Sequence, residues 1–185
     1  MHTTAPLQPF WQIVVMGVSG CGKTTMANEL AQRLNLRMVD GDDLHHPESV
    51  AKMRAGIALQ DEDRWPWLDR IGQTLTETDP RTRGRVVACS ALKRVYRDRI
   101  RQQAPQVCFV FLDGAPDLIR QRMLQRVGHY MPPGLLTSQL NTLERPTADE
   151  SDVLRLDIDV CVQDLGDRAV QALQTWQADS AQTSG

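Results

Sequence analysis

Short apolar runs alternate with stretches of helical period along the chain. Gln12–Met16 (QIVVM) is continuously apolar, as expected of a strand buried on both faces of a parallel sheet. After a glycine-rich turn, Met26, Leu30 and Leu34 recur every fourth residue, which predicts a helix over about Gly22–Leu34. Leu36–Val39 reads as a second strand and ends in Asp40-Gly41-Asp42. The polar stretch to Leu59 holds a helix near Glu48–Arg54, and a longer helix is expected from Trp65 to Thr78, stopped by Asp79-Pro80. Arg85–Cys89 (RVVAC) and Val107–Leu112 (VCFVFL) are further strands, with a basic amphipathic helix, Lys93–Gln103, between them. Pro116 suits the first turn of a helix reaching about Val127. Gly128–Gly134 breaks that pattern, and another helix follows to about Leu143. Val153–Ile158 is a fifth strand and Leu165–Gln177 a last helix, while Ala178–Gly185 is small, polar and expected to fray.

Five apolar strands separated by helices specify an α/β fold, a five-stranded parallel sheet with helices on both faces. At 185 residues the chain fits a single domain spanning 1–185, with a small lid over about 123–140. A hydrophobic share of 41% and a charged share of 24% are those of a globular chain. The net charge of −2 argues against a nucleic-acid binder, which needs a basic excess. No apolar stretch approaches the roughly 18 residues of a membrane span. The N-terminal MHTTAPLQPF has neither a charged leader nor an apolar signal core. The four cysteines are widely spaced, and Cys89 and Cys108 lie in strand-like runs as small buried hydrophobes. A reduced, cytoplasmic protein is the expectation. Only three of the 21 basic residues are lysines (Lys23, Lys52, Lys93), the rest being arginines.

Gly17-Val18-Ser19-Gly20-Cys21-Gly22-Lys23-Thr24 satisfies G-x-x-x-x-G-K-[ST] between a buried strand and a helix, the context that motif requires. Glycines permit a tight loop whose N–H groups point at phosphate oxygens, and the following helix aims its positive end at them. The candidate nucleotide-binding segment is therefore Gly17, Val18, Ser19, Gly20, Cys21, Gly22, Lys23, Thr24 and Thr25. Lys23 would reach the β- and γ-phosphates of ATP, and the Thr24 hydroxyl would ligate Mg²⁺.

Several nucleotide chemistries can use such a loop. A GTPase would need an Asn-Lys-x-Asp segment, which is lacking, and the third strand ends Ala88-Cys89-Ser90 without the Walker-B acid of a motor ATPase. Asp113 ends the fourth strand, which is expected farther from the magnesium. Asp40-Gly41-Asp42 puts two carboxylates at the sheet edge that holds the phosphate loop. One suits Mg²⁺ through water, and the other suits the proton of an attacking hydroxyl. A small-molecule kinase is favoured over a P-loop binding module without phosphotransfer.

The chain resembles the gluconokinase family of small P-loop carbohydrate kinases, related in fold to shikimate and nucleoside monophosphate kinases. The resemblance rests on Met16–Thr24, Asp40-Gly41-Asp42-Asp43-Leu44-His45, Lys52–Gly56, Asp61-Glu62-Asp63-Arg64-Trp65-Pro66-Trp67-Leu68, Cys89–Asp98, Gly128-His129-Tyr130-Met131 and Leu143–Pro146. These segments span roughly residues 12 to 160 in the family's order. Cys21, His46-Pro47, Ser49 and Ala58 depart from its pattern, the last three on the acceptor side.

The resemblance implies phosphorylation of D-gluconate at its 6-hydroxyl by ATP, in a homodimer. The alternative is a kinase of another small hydroxy acid or sugar. It further implies Asp42 as base, Asp40 nearer the magnesium through water, and Arg64 for the substrate carboxylate. The competing role for Arg64 is a surface ion pair with Asp61 or Asp63. His45, Ser90 and Lys93 join the acceptor side, and one of Trp65 and Trp67 is left to the core. Arg122 and Arg126 take the lid positions that stack on adenine and reach the transferring phosphate. Arg94, Arg97, Arg99 and Arg101 read as a solvated basic face.

Overall fold

The computed structural model describes residues 10–125 and 133–183. Five strands, β1 (Trp11–Met16), β2 (Arg37–Asp40), β3 (Gly84–Ala88), β4 (Cys108–Asp113) and β5 (Val153–Asp157), form one sheet of order β2-β3-β1-β4-β5. All four pairings are parallel. Register aligns Val15 with Ala88, Ala88 with Asp40, and Met16 with Phe111, so the strands end at a common edge. That edge carries the chemistry, as expected for a parallel α/β sheet.

Helices α1 (Lys23–Leu34), α2 (Pro47–Arg54), α3 (Asp61–Thr76), α4 (Arg94–Gln103), α5 (Pro116–Leu124), α6 (Pro133–Thr142) and α7 (Val162–Thr183) make up the rest, with a 3₁₀ turn at Gly41–Leu44. Residues of β1 alternate between two cores. Ile13 and Val15 pack with Met26, Leu30, Ile119 and Leu173, whereas Val14 and Met16 pack with Trp67, Leu68, Ile71 and Ile100. Helix α1 ends on Asn35 in the left-handed conformation (φ 54°), a residue type that tolerates it.

Three helices depart from the sequence reading by two residues or more at their ends. Helix α3 starts at Asp61 rather than Trp65, because Gln60 and Asp63 form a reciprocal capping box. Helix α5 closes at Leu124 with Gln125 as its cap, short of Val127. Helix α7 starts at Val162 and continues to Thr183, where fraying was expected from Ala178. Its C-terminal half lacks Gly and Pro, and the Thr175 and Ser180 hydroxyls donate back to Gln171 O and Trp176 O. The Gly128–Met131 segment and the lid arginine Arg126 lie outside the described residues.

Candidate active site

The loop between β1 and α1 is shaped by its glycines. Gly22 caps α1 with φ 100°, a conformation costly for residues with a Cβ. The loop is tied to the sheet edge by Gly17, whose N–H donates to Ser90 O at 3.3 Å. Within it, Lys23 Nζ donates to Val18 O at 3.1 Å, and the Ser19 N–H donates to Gln139 Oε1 of α6 at 2.6 Å.

A cleft of about 300 Å³ opens over the loop, lined by Ser19, Gly20, Gly22, Lys23, Thr24, Thr25, Asp40, Asp42, Ala88, Cys89, Ser90 and Gln139. Most of the nucleotide-side residues expected from the sequence thus meet in one place, together with both strand-two carboxylates and Ser90. Val18 and Cys21 are buried beneath the loop, and burial pushes the Cys21 thiol upward, which suits packing rather than reactivity.

The Asp40 side chain accepts the Asp42 N–H at 3.1 Å and so caps the 3₁₀ turn that projects Asp42. That turn packs closely against β3. A Cβ on Gly41 would lie 2.5 Å from Ala88 O, and the buried Trp67 Nε1 donates to Gly41 O at 2.6 Å. Asp42 is solvent-accessible, but the cleft walls displace much of its hydration. Desolvation, reinforced by the neighbouring Asp40, raises its carboxyl above the ordinary aspartate range.

The acceptor-side residues sit beside this turn. His45 stacks on Trp67 with centroids 4.2 Å apart, and desolvation lowers its pKa, so the ring is neutral near pH 7. His45 Nδ1 is buried without a hydrogen-bond partner among the described residues. Trp67 is the core tryptophan of the pair, while Trp65 meets Tyr96 edge-on at 5.9 Å. Arg64 forms neither of the ion pairs considered for it. Its Nη1 donates to Leu59 O at 2.9 Å and its guanidinium lies 5.6 Å from the Tyr96 ring centroid.

The carboxylates flanking Arg64 are held by lysines. Lys52 donates to Asp63 at 2.6 Å, and Lys93 donates to both oxygens of Asp61 at 3.0 and 3.1 Å. Tyr96 also donates to Asp61, at 2.5 Å, and these bonds hold that carboxyl below the usual range. Lys93, held by Asp61, is not among the residues that line the cleft, whereas Ser90 is.

Arg122 donates from Nη2 to Ile158 O at 2.7 Å. Asp113 lies outside the cleft that holds Thr24 and Asp40. Its strand is the immediate neighbour of β1, closer in the sheet than the strand bearing Asp40. What removes it from the site is its own ion pairing, to Arg145 at 2.5 Å and Arg155 at 2.6 Å.

The solvated basic face expected on α4 is also corrected. Arg97 is fully buried and makes a bidentate pair with Glu150 at 2.7 Å. Its Nη1 donates to the carbonyls of Ala91, Leu92 and Glu144. Arg101 pairs with Asp98, Glu150 and Asp152, and Arg99 with Asp69. These acids lie mostly 30 to 53 residues away, so no local window shows them. Only Arg94, paired with Asp149, resembles the expected surface residue. Arg97 thereby fixes the turn after β3, where Ala91 has φ 42°. Gln139, Ala88 and Cys89 line the cleft without having been expected there, and Gln139 belongs to no motif with a spacing of its own.

Comparisons with known proteins place the chain among kinases. The family model described as AAA domain matches residues 13–131. The chain is 42% identical over 160 residues to the thermosensitive gluconokinase of Escherichia coli (strain K12), covering 86% of each. It is 47% identical over 138 residues to the gluconokinase of Gluconobacter oxydans (strain 621H), covering 75% of this chain and 78% of that protein. Its fold superimposes on the crystal structure of a gluconokinase from Sinorhizobium meliloti 1021 with a TM-score of 0.85, at 41% identity, over 96% of this chain and 99% of that one.

Proposed function

The chain belongs to the gluconokinase family, and from that premise we propose that it transfers the γ-phosphate of ATP to the 6-hydroxyl of D-gluconate, giving 6-phospho-D-gluconate and ADP. The observation that carries this reading is one cleft that joins a phosphate cradle to a raised-pKa carboxylate, Asp42. The loop N–H groups and Lys23 hold and neutralise the triphosphate, and α1 adds its positive end. Asp42, aimed by the Asp40-capped turn, accepts the proton of the attacking hydroxyl. A raised carboxyl makes a stronger base than an ordinary aspartate.

The donor set fits Mg²⁺. The Thr24 hydroxyl and the Asp40 carboxylate face the same cleft, and hard oxygen ligands are what the ion takes. When bound there, Mg²⁺ supplies charge neutralisation of the phosphates. Arg64 is assigned to the gluconate carboxylate, since it is free of Asp61 and Asp63 and a guanidinium fork matches that group. His45, Ser90 and Lys93 complete the acceptor side, and Arg122 and Arg126 the nucleotide side. The reading includes a cytoplasmic homodimer. Among the described residues no helix is long and apolar enough to cross a membrane.

ADP release measured over gluconate, other aldonates, shikimate and nucleoside monophosphates tests the proposal. Release that depends on gluconate and falls at least about 10²-fold in Lys23→Ala is expected, this being the order of a lost transition-state charge contact. ADP release indifferent to gluconate overturns it.

A further inference from the structure

We propose that Gln139 is a resident ligand of the phosphate cradle, which nucleotide must displace in order to bind. The inference rests on the cleft being the nucleotide site. Ser19 lies mid-loop, among the N–H groups whose pairing with phosphate oxygens defines this motif. Its N–H instead donates to Gln139 Oε1 at 2.6 Å, from a helix 120 residues away in sequence. Only the carbonyl end of the carboxamide can accept, so the donor fixes the orientation of the side chain. The N–H has a single hydrogen, and Gln139 and a phosphate oxygen compete for it.

Two further observations point the same way. Gln139 is half-buried and lines the cleft beside Lys23, Thr24, Asp40 and Asp42, so its side chain stands where ligand would stand. Lys23, the other phosphate partner, is likewise satisfied internally, through Val18 O at 3.1 Å. The Ser19 N–H and Lys23 Nζ are thus both satisfied within the chain.

Two consequences follow. Apparent nucleotide affinity is reduced by the fraction of molecules in which Gln139 is seated, a tax set by population. Helix α6 is also coupled to the state of the loop, because nucleotide releases it.

The test is calorimetric binding of a non-hydrolysable ATP analogue with Mg²⁺ to the full chain, together with hydrogen exchange of the Ser19 amide read by NMR. Gln139→Ala should tighten binding by roughly 2- to 10-fold, the worth of one neutral hydrogen bond, and should speed Ser19 exchange in the ligand-free protein. Gln139→Glu should act in the opposite direction. A carboxylate accepts more strongly and can also pair with Lys23, so binding should weaken by about 10-fold or more. Weakened or unchanged binding in Gln139→Ala overturns the proposal, as does Ser19 exchange equal to that of the unsubstituted protein. Failure of the unsubstituted protein to bind the analogue overturns the nucleotide reading itself, which keeps the two failures distinct.

Discussion

Asp42 illustrates how a single side chain trades stability for chemistry. Its proton is held more tightly in the folded chain than in the unfolded one, so the ionised form needed for catalysis is disfavoured by the fold. Stability from this group is fully present below the ordinary aspartate range and is lost as pH rises through the raised folded value. Asp42→Asn should therefore lower kcat by roughly 10²-fold or more while slightly raising the urea midpoint at neutral pH. The stability gain should vanish near pH 3, and the acid limb of the kcat profile should disappear in the variant. An effect confined to the gluconate KM would instead make Asp42 a binding residue. The lysines show what was legible at this scale. Lys23 was readable from motif spacing alone. The pairing of Lys52 and Lys93 with Asp63 and Asp61 was not, since those contacts span 11 and 32 residues.

Helices were legible in number and order because their periodicity is local, and their ends less so because caps depend on side-chain geometry. Helix α3 shows this: the helix was expected to begin at Trp65, yet the capping box makes Asp61–Arg64 its first turn. Helix α4 misled for the opposite reason. Four arginines within eight positions mimic a solvated face, and the acids that bury one of them come from elsewhere. Burial alone would raise the Glu150 carboxyl, but hydrogen bonds from Arg97 and Arg101 hold it at about 2. This contribution is present above pH 4.5 and is lost as pH falls toward 2. Removing Arg97 takes the bidentate partner from a buried carboxylate and leaves it only Arg101, so Arg97→Ala should destabilise the fold by about 3 kcal/mol in urea titrations. Pairing Arg97→Met with Glu150→Leu should recover most of that loss. A surface-sized effect, below about 1 kcal/mol, would restore the solvated reading.

At the scale of the molecule, the sheet was the most legible feature, since a strand buried on both faces must be apolar throughout. Which strands are neighbours was not legible. Because β1 feeds both cores with alternate residues, neither face can unfold while the other stays packed. Urea unfolding followed by far-UV circular dichroism should coincide with fluorescence from single-tryptophan variants keeping Trp11 in one core or Trp67 in the other. Separated transitions would show two independent units. The Arg97–Glu150 pair bears also on the order of events during synthesis. The ribosome delivers Arg97 well before Glu150, some 53 residues later, and until then the guanidinium has no counter-charge to take into the core. Helix α4 can only dock provisionally, and the Ala91 turn it braces stays unset. The Ala91 turn, although encoded earlier, waits on the segment that carries Glu150.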